Sequence, residues 1–142
     1  MYKDKVHGNG KLSKTDLDKI TLGNEYDVQR MLYSLLKPIF TNARLEVHGD
    51  GGYMGTRCDI ELPDCDAVIE VKCTRGSMTE RKLSEELGSD IYHYKTGKLF
   101  FYIYDKEGII KNAEAFEKNY TKELKDPNRS IETYITQSVN LL

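Results

Sequence analysis

The sequence predicts an α/β fold, and three observations carry that expectation. Apolar residues recur with helical spacing over about residues 24–41 and again over about residues 79–96. Between them, residues 56–62 and 67–73 alternate apolar and polar side chains one by one, as half-buried strands do. A run of strand formers, Leu99-Phe100-Phe101-Tyr102-Ile103-Tyr104, follows the second helix and reads as a central strand.

The elements follow in order. Residues 1–21 mix Lys, Asp, Gly and Ser with few apolar positions and read as an arm, with a short helix over 15–20. Residues 22–142 then form one domain, without internal repeats. Asn24 suits a helix cap, and Glu25 and Asp27 suit the positive end of the helix dipole. The first helix is expected to bury Tyr26, Met31, Leu32, Leu35, Leu36, Ile39 and Phe40, and Pro38 should end or kink it. Arg44-Leu45-Glu46-Val47-His48 reads as the first strand. The glycines of the 49–55 loop are not followed by Gly-Lys-Ser/Thr or by a helix, which excludes a P-loop. Leu83, Leu87, Ile91 and Tyr94 form the core stripe of the second helix. After Asp105-Lys106-Glu107-Gly108 the reading is a short Ile109-Ile110 strand, a helix from Asn112 through Leu124, and an edge strand over 131–136.

The segment between the two alternating strands, Pro63-Asp64-Cys65-Asp66, is rich in turn formers. Symmetric closure of that turn sets Asp59 opposite Glu70, Ile60 opposite Ile69, and Leu62 opposite Ala67. Cys58, Ile60, Leu62, Ala67, Ile69 and Val71 then share one apolar face. Arg57, Asp59, Glu61, Glu70 and Lys72 share the other, with Val68 as its only aliphatic member. A one-residue slip would mix the two sets, so the pattern itself specifies the register.

That polar face has the parts for phosphodiester cleavage. The reaction needs an attacking water, stabilisation of negative charge in the transition state, and help for the leaving oxygen. Mg²⁺ supplies much of this and is usually held by one or two carboxylates plus water and phosphate. Asp59 and Glu70 on neighbouring strands are placed to share one ion, and Lys72 projects from the same face to orient water or stabilise charge. Charged residues mostly occupy solvated surfaces, so Glu70-x-Lys72 alone says little. Its position, after an apolar strand and opposite an acidic partner, is what raises it.

These residues resemble the PD-(D/E)xK nuclease superfamily. Asn24-Glu25-Tyr26-Asp27-Val28-Gln29-Arg30-Met31-Leu32 is similar to its first helix. Ile69 to Arg75, then Leu83 to Tyr94 and Leu99 to Asp105, resemble the DpnII/MboI-type restriction endonuclease domain. The resemblance spans about residues 22–120. It implies a three-layer, restriction-endonuclease-like core with a central mixed β-sheet flanked by helices. It also implies Asp59, Glu70, Lys72 and Glu25 as catalytic residues, with Asp59, Glu70 and Glu25 at the metal. The sequence departs from the pattern in one respect: Cys58, not proline, precedes Asp59. Pro63-Asp64 spells the motif literally but lies in the turn, where Asp64 points away from the polar face.

Further residues read as substrate contacts. Gln29, one turn after Glu25, could reach a phosphate or a ligand water. Arg75, Arg81 and Lys82, with only Glu80 among them, form a candidate phosphate-binding lip, and Tyr53 could stack on a base or sugar. Asp90 and Tyr94, at i and i+4, match a pair in the DpnII/MboI-type pattern but receive no chemical task, and His93 reads as a structural or solvated helix residue before a general base.

Composition bounds the rest. The chain has 142 residues, 39% of them hydrophobic, enough for one globular domain with a core. Its net charge of −2 argues against tight sequence-independent binding of nucleic acid, although local patches suffice for a nuclease. There is no membrane-length apolar run and no signal-peptide stretch. Three cysteines cluster in the hairpin; Cys58 and Cys73 read as core residues, zinc spacing is absent, and a reducing cytoplasm fits. The expected activity is a Mg²⁺-dependent endodeoxyribonuclease, with Mn²⁺ as a substitute ion, serving as the nuclease effector of a restriction or anti-phage defence system. Its expected partners are DNA, a second copy of the chain, and fused or associated specificity subunits. An RNA (tRNA)-cleaving nuclease and a non-catalytic nucleic-acid-binding module of the same fold remain as alternatives.

Overall fold

The computed structural model describes residues 19–48, 57–94, 97–123 and 128–137. Tyr53 and all but the last two residues of the expected arm helix lie outside them. The element order is α1 (Glu25–Leu36), β1 (Arg44–His48), β2 (Arg57–Leu62), β3 (Ala67–Cys73), α2 (Glu80–His93), β4 (Lys98–Asp105), α3 (Ala113–Tyr120), β5 (Lys122–Glu123) and β6 (Ser130–Gln137). The strands form one six-stranded sheet in the order β1-β2-β3-β4-β6-β5. The β1–β2–β3 part is antiparallel, β4 runs parallel to both β3 and β6, and β5 is antiparallel to β6. The sheet is therefore mixed, as expected.

Each helix starts where its cap allows. The Asn24 side chain accepts from the Asp27 N–H at 3.0 Å, the Thr79 hydroxyl from the Lys82 N–H at 3.2 Å, and Asn112 from the Ala115 N–H at 3.0 Å. Each satisfies an N–H that the first turn leaves without an intrahelical partner. Helix α1 stops at Leu36, two residues before Pro38. The hairpin has the expected register, with Ile60 opposite Ile69 and Leu62 opposite Ala67. Pro63–Cys65 form a single 3-10 turn, closed by Asp66 at φ +49°.

Alternation along β4 separates two cores. Leu99, Phe101 and Ile103 pack with Leu83 and Leu87 of α2, Phe116 of α3 and Ile131 of β6. Phe100, Tyr102 and Tyr104 face the other way, toward Ile60, Ile69, Val71 and Val28 of α1. The result is three layers, with α1 on one side of the sheet and α2 and α3 on the other. Among the described residues no helix is long and apolar enough to cross a membrane.

Four expectations need correction. Of the set expected for α1, Leu32, Leu36 and Phe40 pack against the core, but Tyr26, Leu35 and Ile39 are exposed, and the fully buried positions are Val28 and Gln29. Apolar residues cover well over half the circumference of this helix, more than the sheet covers, so periodicity alone did not identify the buried face. Ile109 and Ile110 are not a strand: Asp105 Oδ1 accepts from the Ile109 N–H at 3.0 Å and Oδ2 from the Ile110 N–H at 2.9 Å. A side chain thus takes the N–H groups a sheet ladder would have used. Helix α3 ends at Tyr120 and not Leu124, because Lys122–Glu123 pair with β6. The last strand is accordingly bordered by β5 over those two residues.

Gly97 closes the turn into β4 at φ +73°, where a Cβ would lie 2.5 Å from the Asp66 carbonyl oxygen. That carbonyl also accepts the Lys98 N–H at 2.9 Å, so only glycine fits this close approach.

Candidate active site

The β2–β3 pairing runs from Leu62 opposite Ala67 as far as Ile60 opposite Ile69. At the next step the Val71 N–H donates to Asp59 Oδ2 at 2.8 Å instead of extending the ladder. Gln29, buried on α1, donates from Nε2 to the Asp59 carbonyl at 3.1 Å. The Asp59 carboxylate is thereby held at the mouth of the hairpin from both its side chain and its backbone.

Glu70 and Lys72 share the Asp59 face, but that face is only partly open to water. Helix α2 roofs it, and Glu70 is only 6% exposed. Asp90 of α2 and Tyr94, the residue that caps its end, reach down. The Tyr94 hydroxyl donates to Glu70 Oε1 at 2.6 Å, and Asp90 Oδ2 lies 2.8 Å from Lys72 Nζ. Arg129 donates to the Tyr94 carbonyl at 2.9 Å, fixing the end of α2 from the β6 side of the sheet.

Burial and crowding of like charge set the electrostatics. Burial first, and then the Asp59 charge, push the Glu70 carboxyl up to about 8, against the pull of the Tyr94 hydroxyl and Lys72. Asp59 is also raised, mainly by burial, although the Val71 N–H and a hydrogen bond with Glu70 lower it. Glu70 is buried and Asp59 half-buried, and two carboxylates so placed and hydrogen-bonded to each other hold a proton between them near neutral pH unless a cation replaces it. Burial works against the Lys72 ammonium, but the Asp90 carboxylate outweighs it and keeps Lys72 charged. Tyr94 is held far above the usual phenol range by burial and the adjoining Glu70, so its hydroxyl keeps its proton to donate.

Glu25 lies near the set without completing it. Burial raises its carboxyl, while Lys72 and a hydrogen bond from the Cys73 N–H lower it. Among the described residues no three His, Cys, Asp or Glu side chains converge to hold a metal ion. The expected Asp59, Glu70 and Glu25 triad is thus a close pair with a third carboxylate beside it. The pair itself fits a hard divalent cation, since it offers adjacent oxygen donors whose like charge calls for a counterion.

The remaining sequence candidates fall into place differently. Gln29 is buried and committed to β2, so the phosphate contact expected of it has no open path. The charge balance of the Arg75, Arg81 and Lys82 lip also changes. Arg75 pairs with half-buried Glu86 at 3.0 Å, Arg81 with Glu85 at 3.2 Å, and Lys82 lies 3.9 Å from Glu85, the three cations and Glu85 being exposed. Asp64 accepts from the Asn42 side chain at 3.1 Å in the turn, away from the pair. The His93 ring meets the Ser89 carbonyl at 2.7 Å on the helix surface.

Asp90 and Tyr94 were the residues without a task. One signal for them was legible: with Leu83 and Leu87 they fall at positions 83, 87, 90 and 94, a single helix stripe. A carboxylate on a core-facing stripe needs a partner inside.

Comparison with known proteins adds one relationship. A family model for DpnII-MboI restriction endonucleases matches residues 2–138. No curated protein and no solved structure matches the chain.

Proposed function

Because the chain belongs to the DpnII-MboI restriction endonuclease family, a family of DNA-cleaving nucleases, we propose that it is a Mg²⁺-dependent endonuclease that hydrolyses DNA phosphodiester bonds at the β2–β3 mouth. The observation that carries this reading is the pairing of half-buried Asp59 with buried Glu70, with Lys72 on the same face. Asp59 and Glu70 would hold the ion. When bound, such a cation supplies Lewis-acid stabilisation of phosphoryl oxygens and lowers the pKa of water.

The chain's own residues do the rest. Lys72, kept charged by Asp90, is a fixed cation in a partly dehydrated site, where stabilising a pentavalent, multiply charged phosphate is worth most. Tyr94 occupies Oε1 of Glu70 and so restricts how that carboxylate turns. Glu25, half-buried at the end of β3, is the supporting carboxylate that orients the attacking water. A single centre of this kind cuts one strand, so double-strand cleavage calls for a homodimer or paired sites. The protein serves as the nuclease effector of a restriction or anti-phage defence system, with specificity assisted by fused or associated subunits.

The test is cleavage of plasmid DNA and total RNA in Mg²⁺, Mn²⁺ or EDTA by wild type, Lys72→Ala and Asp59→Ala. Metal-dependent loss of the plasmid, abolished in both variants, is the expected result. Loss of the RNA alone would transfer the same chemistry to an RNA substrate. Equal inertness of all three proteins would leave a binding module in place of an enzyme.

A further inference from the structure

Beside the carboxylate pair lies a cavity of about 470 Å³, walled by Asn24, Glu25 and Tyr26 of the α1 start, Thr74 and Arg75 after β3, and Lys106 after β4. It sits outside the carboxyl ends of two adjacent parallel strands, the place where open α/β sheets bind ligands. Glu25 belongs to its wall and also feels the charges of Lys72 and Asp59, so the cavity adjoins the proposed catalytic groups.

The walls are pre-formed. Buried Asp105 accepts from the Thr74 hydroxyl at 3.0 Å, the Gln137 amide at 2.9 Å, and the Ile109 and Ile110 N–H groups. Burial pushes its carboxyl up, but these four donors more than offset that and hold it below the usual range. The Glu107 N–H also donates to the Thr74 hydroxyl at 3.0 Å, which locks the two loops together. Lys106 in turn donates to the Gly23 carbonyl at 3.3 Å, tying the β4 loop to the start of α1.

The lining chemistry is that of a nucleotide site. Tyr26 is an aromatic ring that the fold leaves 52% exposed on the cavity wall. Lys106 and Arg75 are cations whose present partners, Glu107 at 3.9 Å and Glu86 at 3.0 Å, form exposed pairs. Such pairs contribute little and yield readily to a phosphate. Of the two acids on the wall, Glu25 is engaged by the Cys73 N–H, which leaves Glu107 as the competitor for Lys106. The volume falls within the range of small-ligand pockets, enough for one nucleotide and too small for a duplex.

We propose that this cavity is a subsite for one unstacked nucleotide flanking the scissile phosphate, its base or sugar against Tyr26 and its phosphate between Lys106 and Arg75. The inference rests on the nuclease reading and names where its substrate strand is gripped. A nucleotide that is unpaired, in an overhang or turned out of the helix, enters; a paired one does not.

The full-length protein is tested by fluorescence anisotropy with a short single-stranded oligonucleotide and its duplex, in Ca²⁺ and across a salt series. Tyr26→Ala should weaken single-strand binding by about 5- to 150-fold, the stacking contribution of one base, and Tyr26→Phe should restore it. Lys106→Ala should lower the salt slope by about 1, as loss of one phosphate contact does. The two side chains are exposed, so neither substitution threatens the core. Tyr26→Ala binding like wild type, or Lys106→Ala with an unchanged slope, would overturn the subsite while leaving the nuclease reading intact. If wild type itself neither binds nor cuts nucleic acid, the nuclease reading fails and the subsite falls with it.

Discussion

The Tyr94 hydroxyl meets Oε1 of Glu70 at 2.6 Å across the gap between α2 and β3, and the Tyr94 carbonyl is itself held by Arg129. One helix position therefore carries a line of contacts from the start of β6 to the candidate metal carboxylate. A hydrogen bond of this kind orients a ligand without touching the ion, and losing such a partner typically costs about 10- to 100-fold in metal affinity. Tyr94→Phe removes only the oxygen. Titration calorimetry with Mn²⁺ should show a weaker isotherm within that range, at an unchanged melting temperature. An isotherm identical to wild type would mean that the bond is structural only.

Lys72 and Asp90 form the second bridge from α2, at 2.8 Å and largely shielded from water. Lys72→Ala should reduce cleavage by about 10²- to 10³-fold, as expected for removing one preorganised charge-stabilising group. Asp90→Asn leaves the ammonium in place but releases it, so kcat should fall less than in Lys72→Ala, with KM for DNA unchanged. A larger loss in Asp90→Asn than in Lys72→Ala would show that the two do not act in this order.

Stability of the metal-free protein should depend on pH in a defined direction. The Glu70 carboxyl is pushed up to about 8 in the folded chain, against 4.5 ordinarily. Through that window the folded state binds the proton and the unfolded state does not, so stability falls as pH rises. Asp59 and Glu25, also raised, add to the same slope. The urea midpoint should thus drop between about pH 5 and about pH 8, and Mg²⁺ should restore it most at the alkaline end. A midpoint that stays flat without metal would contradict the buried pair.

Gln29 supplies the fourth test. Its amide satisfies the Asp59 carbonyl from a buried position, and leaving such a group unpaired costs about 1–3 kcal/mol. Gln29→Leu should lower the urea midpoint by a corresponding amount and reduce kcat through the displaced Asp59. A variant of wild-type stability with only a raised KM for DNA would point to a phosphate contact instead.

The hairpin was legible because its information is local. Alternation over residues 56–62 and 67–73, and a turn that could close in one way, specified the observed register and set Asp59, Glu70 and Lys72 on one face. The Asn24 cap, the helix starts at Thr79 and Asn112, and the Arg44–His48 strand were legible for the same reason, since each depends on neighbours within one turn or one strand. What covers that face was not. Tyr94 and Glu70 are 24 residues apart, and Thr74 and Asp105 are 31 apart. No local period records such pairings. Nor could periodicity tell that α1 would bury Val28 and Gln29 and leave Tyr26 on a cavity wall, because that helix is apolar on several sides. The sequence by itself determined the hairpin, the first and central strands, the helix starts and the acidic and basic residues they present. Only the tertiary structure decided which of those charges are buried, which partners hold them and which ring stays open, because burial and partnership depend on elements brought together across the sheet.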